Sequence, residues 1–219
     1  MPPFIKVCGI QSVEEAAGAA RAGATALGVL VGVNGDVPDR VTPDAGKRIA
    51  ASVPAGVTTV MVTHLTDPEE VADIAAYMKV RAVQVHGDMD VRGLRALRSL
   101  LPEVLIIKTV HVTGDEAMFR AREFAAAADM LLLDTAAGGK IGGTGVTHDW
   151  SVSAGIAGSS RVPVILAGGL GPDNVAAAIE RVKPAGVDAN SGLEHEDGRK
   201  DFEKIKAFVA AARLLTGRT

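Results

Sequence analysis

Aromatic residues are scarce in this sequence of 219 residues, since Phe, Trp and Tyr together make up only 3 % of it. Proteins that hold single-stranded nucleic acid stack the bases on such side chains, so their scarcity argues against that function. The formal net charge is -3, which gives no basic surface for nucleic acid or for an anionic membrane. No apolar run reaches the roughly 18 residues of a membrane-spanning helix. We therefore expect neither a nucleic-acid partner nor a membrane partner.

Cysteine is almost absent too, because Cys8 is the only one in the chain. A single thiol cannot form an intramolecular disulfide, which excludes a secreted disulfide scaffold and is typical of a reducing compartment. The first residues, Met1-Pro2-Pro3-Phe4, show no signal-peptide pattern. These observations predict a cytoplasmic protein.

The sequence is built from short apolar runs that alternate with alanine-rich stretches. The runs are Phe4–Cys8, Ala26–Val31, Val57–Val62, Ala82–Val85, Val104–Lys108, Met130–Leu133, Val162–Leu166 and Ala185–Asp188. They are continuous in hydrophobicity, as in strands that are buried on both faces of a parallel sheet. Helix starts are predicted between them at or near Ser12, Pro43, Asp67, Asp90, Thr113, Asp149, Pro172 and Lys200.

Eight such βα units in a chain of this length predict an α/β fold, a single (β/α)8 TIM barrel that spans residues 1–219 as one domain. An open, doubly wound sheet is the alternative fold, and the number and even spacing of the strands count against it. No shift in composition marks a domain boundary.

Two residues with useful chemistry stand at the ends of apolar runs. Cys8 closes the first run, two residues after Lys6, and Asp134 follows the sixth run. Side chains at the carboxyl ends of barrel strands converge on one face, so a thiol and a carboxyl group would meet there. This pairing indicates acid–base chemistry on a bound small molecule. By sequence alone, Cys8 also fits a small buried core residue, and Asp134 fits a helix cap or loop acid.

Three glycine-bearing segments follow the late runs, and they predict a phosphate site. They are Gly142-Gly143-Thr144-Gly145, Ala167-Gly168-Gly169-Leu170 and Asn190-Ser191-Gly192. Glycine lets backbone N–H groups approach an anion closely, and the last two loops of a TIM barrel are its usual phosphate site. The predicted phosphate ligands are Gly143, Gly145, Gly168, Gly169, Asn190 and Ser191. Tight turns alone would also account for the glycines. No segment matches a nucleotide fingerprint, which favours a phosphate monoester.

Together these motifs resemble the phosphoribosylanthranilate isomerase family of tryptophan biosynthesis. The matching segments, in family order, are Lys6-Val7-Cys8-Gly9-Ile10, Val83-Gln84-Val85-His86-Gly87, Leu131-Leu132-Leu133-Asp134-Thr135, Gly142-Gly143-Thr144-Gly145, Asp149-Trp150, Ala167-Gly168-Gly169-Leu170 with Pro172 and Asn174-Val175, and Val187-Asp188 with Ser191-Gly192-Leu193-Glu194. They extend over nearly the whole chain.

The resemblance implies an Amadori rearrangement of an N-linked ribose phosphate to a 1-deoxyribulose phosphate, with no metal or organic cofactor. Asp134 would be the general acid that opens the furanose ring, and Cys8 the general base that removes the C2 proton of the resulting Schiff base. Arg40 would hold the anthranilate carboxylate, and His86 and Asp188 are further substrate-binding candidates. The phosphosugar would be the partner of a monomer or homodimer.

The chain departs from the family pattern in the segments that would surround the aglycone, which is the anthranilate part of the substrate. Segment 31–40 lacks the aromatic residues of the family, and His64 lies in an altered segment after the third run. Val146 and His148 stand where the family has a lysine and an aromatic residue. The departures leave open a related phosphosugar enzyme of the epimerase or aldolase type, or a non-catalytic phosphosugar-binding protein.

Two further expectations concern charged and metal-binding residues. An aldolase that uses a Schiff base needs a desolvated strand lysine, and Lys6 and Lys108 are the candidates. His111, His148 and His195 lack the spacing of a metal site. The charged residues 194–201 are typical of a solvated loop and helix start.

Overall fold

Parallel strands close into a barrel in the computed structural model, which describes residues 4–35, 37–114, 116–137, 140–141 and 149–213, the side chains of 136–137 and 140–141 excepted. The strands are β1 Phe4–Val7, β2 Ala26–Leu30, β3 Thr58–Thr63, β4 Ala82–Val85, β5 Leu105–Val112, β6 Met130–Ala137, β7 Lys140–Ile141, β8 Val164–Leu166 and β9 Gly186–Ala189. The helices are α1 Val13–Ala22, α2 Pro43–Ser52, α3 Pro68–Met78, α4 Val91–Leu100, α5 Glu116–Phe124, α6 Trp150–Ser159, α7 Val175–Val182 and α8 Phe202–Ala212.

The strand order confirms the predicted (β/α)8 barrel. Neighbouring strands pair in the order β5-β4-β3-β2-β1-β9-β8-β6, and pairing of β5 with β6 closes the ring. All of these pairs are parallel, while the short β7 returns antiparallel against the end of β6. Each predicted apolar run overlaps one barrel strand, although β5 and β6 extend four residues beyond their runs. The alternative of an open sheet is wrong because the ring has no free edge.

Capping residues fix where the helices begin. The Ser12 hydroxyl accepts a hydrogen bond from the Glu15 amide at 3.1 Å, and the Glu15 carboxylate accepts one from the Gln11 amide at 2.8 Å. Together they satisfy free N–H groups at the start of α1. Asp67, Asp90 and Asp149 are confirmed as the caps of α3, α4 and α6. The last two helices begin slightly later than predicted, after Asn174 and Asp201.

The period-2 alternation of each strand divides its side chains between two apolar layers. In β1, Ile5 belongs to the layer between strands and helices, whereas Cys8, just after the strand, belongs to the layer inside the barrel. The inner layer consists of Cys8, Ala26, Leu30, Val60, Val62, Ala82, Ile107, Met130, Leu132, Ile165 and Ala167. Its small and medium side chains leave the carboxyl ends of the strands open to a cavity.

The helices also show whether part of the chain could span a membrane. None of the helices in the described part of the chain is long and apolar enough to cross a bilayer.

Candidate active site

A cavity of about 590 Å³ lies at the carboxyl ends of the barrel strands. Its lining includes Cys8, His86, Asp134 and Asp188, each on or just beyond a different strand. The volume is within the ~300–1,000 Å³ that is typical of small-molecule sites. The barrel therefore brings the predicted thiol and carboxyl group into one pocket.

Cys8 lies at the edge of this cavity beside a buried ammonium group. The residue is only 8 % exposed, and Lys6, on the same face of β1, is fully buried. Burial raises the pKa of the Cys8 thiol, and the Lys6 ammonium opposes that rise. The thiol is thus protonated at neutral pH in the free protein, with a cation in place that stabilises its thiolate.

Asp134 faces the same cavity from β6. Burial, with a further contribution from the Asp188 carboxylate, raises the pKa of Asp134 to about 6. The Thr135 amide donates a hydrogen bond to Asp134 Oδ1 at 2.8 Å, and this bond lowers the pKa of Asp134 by a smaller amount. A carboxyl group with this pKa is mostly protonated below pH 6 and keeps a minor protonated fraction at neutral pH, which is the form that a general acid needs.

The His86 ring lies close to Asp134, and two neighbours set its orientation. Gln84 Nε2 and Thr109 Oγ1 each lie 3.3 Å from His86 Nδ1. The other ring nitrogen, Nε2, then lies 3.7 Å from Asp134 Oδ2. Burial places the pKa of His86 well below its ordinary value, so the ring is neutral and the contact with Asp134 is not an ion pair at neutral pH.

Two more histidines approach His86 from neighbouring strand ends. Its ring centroid lies 5.3 Å from that of His64 and 5.0 Å from that of His111. One donor atom each of His86, His111 and Asp134 lies within 4.8 Å of the others, a set that could hold a divalent metal ion. Sequence spacing gave no sign of this set because its members belong to three different βα units.

The loop after β8 is fixed by one asparagine side chain. Asn174 Nδ2 donates to the Gly169 carbonyl at 2.9 Å, and Asn174 Oδ1 accepts from the Gly171 amide at 2.9 Å. Gly168 and Gly169 have φ values of +86° and +65°, which favour glycine. The sharp turn leaves these two residues on the lining of the cavity.

The loops after β8 and β9 pack against each other with no room for a side chain between them. A Cβ on Gly192 would lie 2.1 Å from the Leu170 carbonyl oxygen. Asn190, Ser191 and Gly192 all line the cavity, and Ser191 begins a 3-10 helix, Ser191–Leu193. Two of the predicted phosphate ligands, Gly143 and Gly145, lie outside the described residues.

A chain of hydrogen bonds ties the loop after β2 to the loop after β9. Asn190 Nδ2 donates to Asp39 Oδ2 at 2.7 Å, and Lys200 Nζ donates to Asn190 Oδ1 at 2.5 Å. Lys200 also pairs with Glu194 and is only 4 % exposed. The expectation of a solvated loop is therefore wrong for Lys200, since its ammonium group is neutralised and hydrogen-bonded inside this network.

Arg40 lies next to this network in sequence but is not part of the cavity lining. The residue is exposed, and its guanidinium donates to the Gly35 carbonyl at 3.2 Å. Its neighbour Asp39 lines the cavity, and Arg40 does not.

Comparison with known proteins identifies the family. The family model for N-(5'-phosphoribosyl)anthranilate (PRA) isomerase matches residues 5–211. The chain belongs to the PRA isomerase family. N-(5'-phosphoribosyl)anthranilate isomerase 2 of Methanosarcina mazei is 41 % identical over 211 residues, which are 95 % of this chain and 93 % of that protein. The isomerase of Haloferax volcanii is 37 % identical over 213 residues, 97 % of this chain and 94 % of that protein.

Solved PRA isomerase structures share the whole barrel. The isomerase of Thermotoga maritima superimposes with a TM-score of 0.85 at 33 % identity, covering 97 % of this chain and 100 % of that chain. A PRA isomerase in complex with reduced 1-(o-carboxyphenylamino)-1-deoxyribulose 5-phosphate superimposes with a TM-score of 0.82 at 32 % identity, with the same coverage. The predicted resemblance to the family is confirmed.

Most of the predicted site residues of this PRA isomerase family member share one cavity. The lining includes Cys8, His86, Asp134, Gly168, Gly169, Asp188, Asn190 and Ser191. Their individual roles stay predictions.

Sequence reasoning missed the ion pair between Lys6 and Asp188, and the residues that orient His86. Gln84 carried a usable signal, because it lies two positions before His86 and so on the same face of β4. Thr109 carried no such signal in the sequence, since it lies next to His86 only because β4 pairs with β5.

Proposed function

We propose that this member of the PRA isomerase family catalyses the Amadori rearrangement of N-(5'-phosphoribosyl)anthranilate to the corresponding 1-deoxyribulose phosphate. The observation that carries the proposal is the shared cavity of Cys8 and Asp134, with the two late glycine loops beside them. A thiol and a carboxyl group of raised pKa provide a base and an acid in one pocket.

The acid acts first in the proposed mechanism. Asp134 donates its proton to the furanose ring oxygen while the bond from that oxygen to C1 breaks. The lone pair of the anthranilate nitrogen then forms the C1=N bond of a protonated Schiff base. The burial that raises the pKa of Asp134 keeps this proton available for transfer.

The base acts on the open-chain intermediate. The Cys8 thiolate removes the proton from C2, and the electrons of that C–H bond form a C1=C2 double bond as the nitrogen regains its lone pair. The resulting enolamine tautomerises to the ketone. A positioned acid or base of this kind contributes roughly 10²–10⁴-fold to the rate.

Backbone N–H groups of the late loops would bind the phosphate of the substrate. The supporting observations are the glycine turn at Gly168 and Gly169 and the contact of Gly192 with Leu170, which bring the two loops together at the cavity. Gly143 and Gly145 stay predicted contributors. His86 and Asp188 would contact the sugar, and Arg40 would hold the anthranilate carboxylate.

The aldolase alternative is disfavoured by the state of both strand lysines. Burial lowers the pKa of Lys6, but Asp188 and Cys8 together outweigh it and raise that pKa, which keeps Lys6 a charged, non-nucleophilic ammonium. Burial lowers the pKa of Lys108 to about 8, which suits a Schiff-base lysine, but the described lining of the cavity does not include it. A cytoplasmic location and a monomeric or homodimeric state stay predictions.

An assay with phosphoribosylanthranilate, following the change in anthranilate fluorescence, tests the proposal. Wild-type protein should turn the substrate over. Cys8→Ser and Asp134→Asn should each lower kcat by roughly 10²-fold or more. Iodoacetamide should inactivate the wild type through its single thiol, and a bound substrate analogue should protect it. Wild-type turnover by Cys8→Ser would remove the base from the mechanism and favour another reaction on a phosphosugar.

A further inference from the structure

A buried ion pair lies inside the barrel, next to the cavity. Lys6 on β1 and Asp188 on β9 are register partners, and Lys6 Nζ donates to Asp188 Oδ2 at 2.9 Å. Lys6 is fully buried and Asp188 is 6 % exposed. The second carboxylate oxygen, Asp188 Oδ1, is buried and has no hydrogen-bond partner among the described residues.

The ammonium end of this pair lies against the thiol. Cys8 follows Lys6 by two positions, so both side chains point into the barrel. A Cβ on Gly28, in the adjacent strand β2, would lie 2.7 Å from Cys8 Sγ and 3.0 Å from Lys6 Nζ. The glycine thus provides the space in which the sulfur and the ammonium nitrogen sit side by side.

The carboxylate end of the pair acts on the acid. Asp188 lines the cavity together with Asp134, and among the neighbouring charges it has the largest effect on the Asp134 carboxyl group. For Cys8 the order is reversed, because Lys6 has a larger effect than Asp188. Of the two charges, the Lys6 ammonium therefore has the larger effect on the base, and the Asp188 carboxylate has the larger effect on the acid.

Stability alone gives little reason for charges at this position. Removing two charges from water has a large free-energy cost, and well-packed apolar residues in place of a buried ion pair are often as stabilising or more so. A fully buried Lys6 inside the barrel core is thus better explained by its effect on the groups next to it.

We infer that the Lys6–Asp188 ion pair is a positioning unit that increases the fraction of the protein in which Asp134, and not Cys8, carries the catalytic proton, its ammonium stabilising the Cys8 thiolate and its carboxylate stabilising the protonated form of Asp134. The inference rests on the proposed function, since it concerns the acid and the base of that reaction. The pair itself does not exchange protons with the substrate.

Other charged groups near the two residues have smaller or no such effects. Lys200, from the loop before α8, also favours the Cys8 thiolate, but less than Lys6 does. His86, from the end of β4, is neutral and 3.7 Å from Asp134. Asp39, from the loop after β2, is engaged by Asn190. The Lys6–Asp188 pair is thus the main charged influence on both groups among the described residues.

The rate at which iodoacetamide alkylates Cys8, measured against pH in the absence of substrate, tests the first half of the inference. Lys6→Met removes the ammonium, so the thiol should ionise at higher pH and alkylation at pH 8 should slow by about tenfold for each unit of pKa increase. Asp188→Asn should shift the alkylation profile to lower pH. Lys108→Met is the matched control, because Lys108 is also a buried strand lysine but bonds to the backbone carbonyls of Val85 and Gly87. Its profile should equal that of the wild type.

Lys6→Met leaves Asp188 buried without a partner, so the double variant Lys6→Met/Asp188→Asn provides a second test. It removes both charges and keeps similar side-chain volumes. Because Lys6 has the larger effect on Cys8, alkylation should still be slower than in the wild type. A wild-type alkylation profile in either Lys6 variant overturns the inference.

The second half is tested by titrating the Asp134 carboxyl group by carbon NMR in protein labelled at aspartate. Asp188→Asn should lower the pKa of Asp134 from its value of about 6 in the wild type. Asp39→Asn is the control, since it removes another buried acid of the same cavity, and should leave that titration unchanged. An unchanged Asp134 titration in Asp188→Asn overturns the inference. Neither measurement uses the substrate, so failure of the proposed function would appear separately, as absence of turnover by the wild type.

Discussion

The buried carboxyl group of Asp134 should lower the stability of the folded protein at neutral and alkaline pH. Its pKa is raised to about 6 on folding, so the folded state binds a proton that the unfolded state releases, and stability falls as pH rises through this window. Asp134→Asn removes the ionisation and should increase the free energy of unfolding at pH 8 by roughly 2–3 kcal/mol.

Thermal unfolding at two pH values measures this effect. At pH 4 the carboxyl group is largely protonated in the folded state, and the variant should gain little. An equal gain at both pH values would show that the stabilisation has a cause other than ionisation.

The acid and base should also produce a bell-shaped pH dependence of kcat/KM. Its acidic limb should report the general acid and its alkaline limb the general base, the reverse of the usual assignment. The reaction needs the thiolate and the protonated acid, but the thiol has the higher pKa of the two. Between the two pKa values the protein holds one proton, which is mainly on Cys8. The active form, with a Cys8 thiolate and a protonated Asp134, is then a small fraction that does not change with pH. The acidic limb, near pH 6, belongs to Asp134, and the alkaline limb belongs to Cys8. Activity that keeps rising tenfold per pH unit from pH 6 to pH 9 would contradict this order.

At the scale of elements, the contact between the loops after β8 and β9 should determine phosphate binding. In Gly192→Ala the new Cβ would meet the Leu170 carbonyl oxygen at 2.1 Å, so the loops must separate. We expect a stability loss of roughly 1–3 kcal/mol and a severalfold increase in KM for the phosphosugar.

Gly158→Ala provides the matched control for that variant. Gly158 lies in α6, and a Cβ there would have no neighbour within 4 Å. It should stabilise the protein by about 0.5–1 kcal/mol through its helix preference, with KM unchanged. A Gly192→Ala protein with wild-type KM and stability would contradict the loop contact as the basis of phosphate binding.

The loop after β2 leads to a prediction about the aglycone. Arg40 is exposed and bonded to the Gly35 carbonyl, so it would have to turn towards the cavity to reach a substrate carboxylate. If it does, Arg40→Ala should chiefly raise KM and leave kcat nearly unchanged, because a planar guanidinium binds a carboxylate in both ground and transition states. Wild-type kinetics of Arg40→Ala on phosphoribosylanthranilate would show that another group holds the carboxylate.

At the scale of the whole molecule, a ligand that binds the folded barrel and not the unfolded chain should stabilise the folded state by mass action. Inorganic phosphate at about ten times its dissociation constant adds roughly 1.4 kcal/mol, which raises Tm by a few degrees in a domain of this size. Differential scanning fluorimetry against phosphate concentration measures the shift, and sodium chloride at equal ionic strength is the control. Absence of a shift with phosphate and with ribose 5-phosphate would contradict the predicted phosphate site.

The sequence by itself determined the features that depend on neighbouring residues. Continuous apolar runs fixed the barrel strands, and short-range caps such as Ser12 and Asp67 fixed the helix starts. Cys8 and Asp134 could be placed at one end of the barrel because parallel strands share a direction, so that strand ends meet on a common face. The family followed from motifs that each lie within a few residues.

Tertiary structure alone decided the contacts that join distant parts of the chain. Lys6 and Asp188 are 182 residues apart and meet only because β1 pairs with β9 in a closed ring. His111 comes next to His86 through strand pairing in the same way, and the Lys200 ammonium is buried where it contacts Asn190 and Glu194. Burial and charge at such positions are set by strand register and barrel closure, which no local pattern specifies, and these determine the pKa values on which the proposed acid and base depend.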